Sequence, residues 1–534
     1  MLFLKRINSI VLKLNIFFFQ NKKKKFVKNI QNKFHFSKVR NEGVILVEFN
    51  HWPIFHLSAI YLCNSLFKKY LCDIKGFYNN CYLDRYLEIG IIKKSRILFS
   101  SFFKLGFFYV YKALNVSSII LPKLNRSQKN YANKLFFNIY KQIKNKRDVL
   151  GITVSDIKIG DLIYDSFLKR YKLDTINIYS HDFKKYLELF IYLFIYWKDF
   201  FKDNKVKSVI SSHSVYSCGI PVRIAINKNI KCFISNSHFL YKLNKKKIFA
   251  ECEFIESKKI FNKFSKRNKN KKLFLAKKSL EKRFLGHYSK DIFYSSNASY
   301  KKSNFNKIIL DKNKFNILIA AHSFYDSPHV YGDILFEDFG EWLDFLGTLS
   351  LKTEKNIQWY IKDGPDYPEY NSFLIEKFVK KYPAIKIIPR DCSHHYLIDK
   401  INLLLTCYGT IAHEYAYFDV PVLNASKNNP HNNYNFCIHP KNLKIYKNII
   451  LNAKKLKLKI NKKQIYEFYF MRYLFYKKGW NFNWDNFIDK YGYKNLFTEK
   501  LYDYWLKHFI KDEHNIIQNK LDTFIDNKEY IFQR

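Results

Sequence analysis

Short apolar runs alternate with amphipathic stretches of helical period twice along this chain, and the alternation leaves few architectures open. The later series is the cleaner. Asn316–Ala321 (NILIAA) leads through a long loop to a helix over Leu335–Leu349, and Ile357–Ile361 leads to one over Ser372–Lys381. Ile385–Ile388 precedes a helix over Ser393–Asp399, Asn402–Thr406 precedes one over Ile411–Phe418, and Val420–Leu423 closes the series. Earlier, Val44–Phe49 (VILVEF) precedes a helix over Pro53–Tyr70, and Val149–Val154 precedes one over Asp161–Arg170. Val206–Ser211 runs into SHSVYSCG, then a helix over Ile220–Asn227 and a strand at Ile230–Ile234. Strands that are apolar throughout and separated by helices form parallel sheets covered on both faces. Each half therefore predicts a doubly wound, Rossmann-like α/β domain, whose ligands bind beyond the carboxyl ends of the strands.

The 534 residues suit two such domains with connecting segments. Residues 41–261 form the first and 314–456 the second, with a Lys/Asn-rich linker region over 262–313 that includes SKRNKNKK at Ser265–Lys272. Residues 457–534 carry helical periodicity around Tyr466–Tyr476 and Lys500–Ile510 and are expected to pack as helices across both domains. Residues 1–40 form a basic amphipathic segment. Phe3, Ile7, Ile10, Val11, Leu14, Phe17 and Phe18 share one helical face, with Lys22–Lys25 following. Such a face suits a membrane interface or the protein's own surface equally.

Composition decides between partners. With 93 Lys and Arg against 45 Asp and Glu the net charge is +48, which ordinarily directs a protein to polyanions. The excess is almost all Lys, spread along the whole chain amid abundant Asn, Ile, Tyr and Phe, the signature of an AT-rich coding sequence, so no nucleic-acid partner is expected. A hydrophobic content of 48% excludes a disordered chain. Nine scattered cysteines without a C-x-x-C pair indicate neither a zinc site nor a disulfide framework and fit a reducing cytoplasm. Ile97–Tyr111, broken by Lys104, and Tyr186–Trp197, holding Glu188, fall short of a membrane span and are expected as buried helices. No Walker A or G-x-G-x-x-G element follows any strand, which disfavours P-loop chemistry and an ordinary dinucleotide site.

Candidate chemistry lies where strands end. In the second domain these points are His322 in AAHSFYDSPH, Lys362 in IKDGP, and Gly409 and Thr410 in LLLTCYGTIAHE. A helix starting near Gly409 would aim free N–H groups at a phosphate, and Glu414, one turn on, could accept from ribose or sugar hydroxyls. In the first domain, candidates for a general base are Glu48 and His51 in VEFNHWP, Asp161 and Asp165 in GDLIYD, and His213 in SSHS. Asp161 and His213 rank first because their loops are polar and contain small residues.

The segment LLLTCYGTIAHEYAYFDVPVL resembles the donor-binding segment of GT-B glycosyltransferases, in which a helix carries a Glu and a Pro follows seven residues later, as Glu414 and Pro421 do here. With His322, WYIKDGP, GDLIYDSFLKR and VISSHSVYSCGIPVRIAI, the order of motifs is similar to capsular and surface polysaccharide biosynthesis proteins, including capsule Kdo transferases and, more distantly, polysialyltransferases and teichoic-acid polymerases. The likeness runs loosely over Val44–Leu423 and best over Asn316–Leu423. It implies a GT-B-like fold, two Rossmann-like domains facing a cleft, and a metal-independent glycosyltransferase that builds a surface polysaccharide or lipid-linked glycan. It further implies a nucleotide-sugar donor as substrate with no cofactor, a glycan or glycolipid acceptor, and a place on the inner face of the cytoplasmic membrane. The chain departs from the family at Gly364, where His precedes the Pro, and at Asp419, where Gly is common. Lys362 is then the nearest cation, and either the donor differs or His431 or His322 takes over from the missing histidine. Polyol-phosphate transfer, a non-catalytic scaffold and a polyanion-binding protein are the alternatives.

Overall fold

The computed structural model describes residues 20–78, 91–236, 238–286, 300, 310–364, 368–476 and 478–534. The amphipathic face expected over residues 3–18 lies outside this set.

Thirteen strands are described. The first sheet contains β1 (Val44–Glu48), β2 (Asp73–Phe77), β3 (Val116–Ile120), β6 (Val206–Ser211), β7 (Lys231–Ser235) and β8 (Leu240–Leu243), in the order β3-β2-β1-β6-β7-β8. All its pairings are parallel except β7 with β8. A hairpin of β4 (Thr153–Val154) and β5 (Ile157–Lys158) stands apart from it. The second sheet is wholly parallel and runs β11 (Ile385–Ile388), β10 (Ile357–Lys362), β9 (Phe315–Ala320), β12 (Leu403–Thr406), β13 (Val422–Asn424). Within each domain the strand order reverses once, between β1 and β6 and between β9 and β12, and the crevice for a ligand opens at such a switch point.

The Tyr186–Trp197 stretch lies in the His181–Asp203 helix and buries Tyr186, Phe190, Phe194 and Trp197 in the first core, as its apolar face requires. Three local expectations are corrected. Val149–Val154 is not a sheet strand. A capping box at Asn145 starts a short helix over Lys146–Leu150, and Ser155 and Asp156, both left-handed, turn β4 back onto β5. The missing positions in the sheet are filled by β2 and β3, whose mixed sequences DIKGF and VSSII lack a continuous apolar signal. Ile97–Tyr111 is not one buried helix. The Ile91–Phe102 helix stops where Lys104 and Gly106 take left-handed backbone, and it leaves Leu98, Phe99, Phe102 and Phe103 49%, 57%, 80% and 56% exposed. Within the Lys/Asn-rich stretch, Ser265 caps a helix over Lys266–Phe284 that buries Ala276, Leu280 and Phe284 against the second domain.

The end of the chain packs on both domains. Phe468–Tyr473 joins the core of the second, whereas Trp480, Trp484, Trp505 and Phe532 complete the core of the first. The last residues extend the first sheet, with Lys242 N–H donating to the Tyr530 carbonyl at 2.7 Å and Phe532 N–H to Leu240 at 2.9 Å.

Buried histidines make this fold sensitive to acid. Burial lowers His56, His238 and His394 to about 3 and His322 and His439 to about 4. The unfolded chain takes up these protons near 6.5 while the folded chain does not, so stability present above 6.5 is lost as pH falls towards 4. Each ring costs about 2 kcal/mol at pH 5. Thermal melts should show a steep loss of stability between about pH 6.5 and 5, and a midpoint that stays flat over that interval would contradict the burial of these rings.

Candidate functional site

At the first switch point β1 ends on Glu48, and β6 delivers Ser211, Ser212 and His213 beside it. One oxygen, Glu48 Oε2, accepts from Ser211 Oγ at 2.7 Å, the Ser212 amide at 2.6 Å and Ser212 Oγ at 2.8 Å. Ser212 Oγ also lies 2.8 Å from His213 Nδ1. Because the hydroxyl gives its one proton to Glu48, it accepts from Nδ1–H, and His213 keeps its Nε2 lone pair. Burial lowers the pKa of His213, with Glu48 and Asp326 partly opposing, so the ring is neutral at neutral pH. A neutral imidazole held in one tautomer by a carboxylate acting through a hydroxyl is competent to take a proton.

The second switch point has its own histidine. Beyond β9, His322 Nε2 lies 3.0 Å from Thr406 Oγ1, at the end of β12, and accepts from the Cys407 amide at 3.2 Å. That amide fixes the proton on Nδ1. Burial lowers the ring to about 4, and it stacks on Phe339 with centroids 4.7 Å apart. Gly409 follows at close quarters, where a Cβ would meet Thr406 Oγ1 at 3.0 Å and the His322 ring at 3.6 Å. The amides of Thr410 and Ile411 find no backbone acceptor among the described residues. Thr410 begins the Ile411–Tyr417 helix without a side-chain cap.

All five residues expected to hold the donor line one cavity of about 280 Å³: His322, Lys362, Gly409, Thr410 and Glu414. Two are already engaged. Lys362 donates to the carbonyls of Arg390 at 2.7 Å and Pro389 at 3.3 Å, and burial lowers it to about 8. Glu414 accepts from Arg283 Nε at 2.7 Å and from the Tyr300 hydroxyl at 2.9 Å, so a ligand hydroxyl would share its oxygens.

A larger cleft of about 990 Å³ lies between the domains and is lined by Glu48, His51 and His213 from the first. Asp326 and Tyr408 line both spaces, which therefore adjoin. Asp326 accepts from Lys169 at 2.6 Å and from the Tyr216 hydroxyl at 2.7 Å, both across the domain interface. His51 stands exposed at the rim.

Asp161 and Asp165 are corrected. Asp161 is buried against Arg223 at 2.6 Å, and Asp165 pairs with buried His329 at 2.6 Å; neither carboxylate lines the cleft. Their helix, Gly160–Tyr171, turns both onto structural partners. His431 is likewise in the core, 5.9 Å from His413, and lines neither space. Sequence reasoning passed over Ser212, although it adjoins His213, and Asp326, which sits in the same polar loop as His322. Arg283 had no local signal, being 131 residues from Glu414. Among the described residues no group of three or more His, Cys, Asp or Glu is placed to hold a metal.

Two Rossmann-like domains opposed across a cleft, with the chain's end returning to the first, define a GT-B-like architecture. No known protein family and no curated protein matches the sequence. Solved structures to which it is similar include UDP-GlcNAc 2-epimerase from Neisseria meningitidis bound to UDP-GlcNAc, at 11% identity over 80% of this chain and 96% of that one, with a TM-score of 0.22. Another is the S. aureus MnaA–UDP co-structure, at 11% identity, 81% and 92% coverage and a TM-score of 0.24. Anabaena Alr3699/HepE in complex with UDP-glucose shows 8% identity, 90% and 100% coverage and a TM-score of 0.22. The strand order of the two sheets, rather than these likenesses, defines the fold.

The Glu48–Ser212–His213 chain has a direct test. Glu48 raises the pKa of His213 against burial, so Glu48→Gln should lower it further. Imidazole titration followed by NMR should show the His213 resonance moving to lower pH in that variant, and an unchanged titration would break the proposed connection.

Proposed function

We propose that the protein is a glycosyltransferase that uses a nucleotide-activated sugar to build a surface polysaccharide or lipid-linked glycan. The observation that carries this reading is the pairing of two neutral histidines of opposite polarity on two neighbouring spaces. His213 offers a lone pair from the first domain and His322 an N–H from the second. In the reaction the acceptor hydroxyl enters the larger cleft and loses its proton to His213 Nε2 as its oxygen bonds to the anomeric carbon. The bond from that carbon to the phosphate breaks, and the nucleotide leaves with the electron pair into the smaller cavity. There His322 Nδ1–H and the Thr410 and Ile411 amides meet the developing charge. Lys362 contributes the remaining proton of an ammonium whose other two are committed.

A membrane-surface location completes the reading. The exposed Phe99, Phe102 and Phe103 cluster lies beside Arg96 and Lys104, a combination suited to an anionic bilayer interface. The chain continues from it to Phe107, whose ring lies 5.2 Å from His51 at the cleft rim and 4.7 Å from the Lys23 ammonium. The basic N-terminal segment therefore joins the protein beside the same face.

UDP, GDP, CMP and their sugar conjugates should be screened by thermal shift. At a hundredfold excess over Kd a bound nucleotide adds about 2.7 kcal/mol. His213→Gln should keep that stabilisation while transfer falls about 10²- to 10⁴-fold. Absence of stabilisation by any of them would overturn the reading. Sedimentation with phosphatidylglycerol vesicles should lose its salt-resistant part in Phe99→Ser/Phe102→Ser/Phe103→Ser and its salt-sensitive part on removal of residues 1–19, which leaves the core side chains Phe26, Ile30 and Phe34 in place. Binding that survives both changes would refute the membrane assignment.

A further inference from the structure

The wall of the large cleft contains a guanidinium that no carboxylate among the described residues pairs. Arg170, in the last turn of the Gly160–Tyr171 helix, lines the cleft, and its Nε, Nη1 and Nη2 are buried with no carboxylate or carbonyl acceptor, the Tyr171 hydroxyl being the polar group beside them. Its guanidinium lies over the rings of Tyr171 and Tyr186, at 5.6 and 5.8 Å. One turn earlier on the same helix, Ser166 is 6% exposed, also lines the cleft, and sets its Oγ beside the Tyr186 hydroxyl. Lys172, just past the helix end, adds a second cation to this wall. Arginine near a helix C-terminus ordinarily donates to the last carbonyls of its helix, and Arg170 does not. A guanidinium withdrawn from water with a phenol oxygen as its nearest acceptor is under-satisfied, and the cost falls when an oxyanion arrives.

We propose that Arg170, with Ser166 and Lys172, forms an oxyanion subsite that receives a carboxylate or phosphate carried by the acceptor. The inference rests on the reading of this cleft as the acceptor's place and gives that acceptor a chemical class: an acidic glycan or a phosphate-linked carrier rather than a neutral sugar. The position suits the reaction. The neighbouring Lys169 reaches Asp326, which also receives the Tyr216 hydroxyl, and the Tyr216 ring lies 6.4 Å from that of His213. An acceptor anchored by its anion at Arg170 would extend a hydroxyl towards the base. Planar guanidinium binds either oxyanion through two parallel hydrogen bonds.

Isothermal titration of the full chain with glucuronate, pyrophosphate and glucose, at constant ionic strength, tests the site and separates its two sources. Glucuronate or pyrophosphate should bind and glucose should not. The anion that binds identifies the acidic glycan or the phosphate carrier, respectively. Arg170→Gln should weaken the bound anion by about tenfold or more, and Arg170→Lys should retain part of the affinity. Circular dichroism and the nucleotide response of the same variants separate loss of fold from loss of the subsite. Arg170-dependent anion binding without any nucleotide response would retain the subsite and defeat the transferase reading. Failure of both anions to bind the wild-type protein, or binding that Arg170→Gln leaves unchanged, would overturn the proposal.

Discussion

The cleft exists because one loop is tied across it. Residues between β9 and the Phe339–Ser350 helix belong to the second domain but find their polar partners in the first. His329 meets Asp165, and Asp338 accepts from Tyr164 and Thr175 while capping its own helix through Glu341. Tyr164, Asp165, His329 and Asp338 are almost wholly buried, so their bonds form in a medium where an unpaired charge is expensive. Burial works to lower His329, but Asp165 and the nearby Asp161 and Asp338 raise it, which favours the charged, bonded ring. Gly340 marks how tightly the domains meet, since a Cβ there would come within 2.7 Å of the Asp174 carbonyl oxygen. Asp326 and Tyr408 can serve both spaces only because this loop is fixed.

The two domains repeat one device. Each brings a histidine to its switch point and fixes the ring with a hydroxyl from the adjoining strand end, Ser212 in one case and Thr406 in the other. The outcomes are opposite. Ser212 passes the influence of a carboxylate and accepts a hydrogen bond from the ring, whereas the backbone amide beside Thr406 claims the lone pair of His322. A lone pair and a proton then stand at two neighbouring spaces, one in each domain.

Much of this was legible in the sequence. The strands of the second domain stand within a few residues of their apolar runs, because strands buried on both faces must be apolar throughout, and the five donor-side residues converge because they end or follow those strands. The first domain was less legible. β2 and β3 carry polar residues towards the sheet's edge, and the apolar Val149–Val154 run was spent on a capped helix and a hairpin. Among the base candidates, strand register decided what composition did not: Glu48 and His213 face the cleft, while the helix carrying Asp161 and Asp165 presents them to Arg223 and His329. Pairings over more than a hundred residues, such as Arg283 with Glu414, leave no local trace.

The return of the chain's end to the first domain sets an order of assembly. Trp480 to Phe532 supply a large part of the first domain's core, and Tyr530 and Phe532 bond to its last strand. The domain synthesised first is thus the last to be completed, after the second has left the ribosome. Until then it presents an open apolar face and an unpaired sheet edge. A chain stopped short near its end would lose the integrity of the distant amino-terminal half while the newer domain, whose core closes by Tyr473, remained intact.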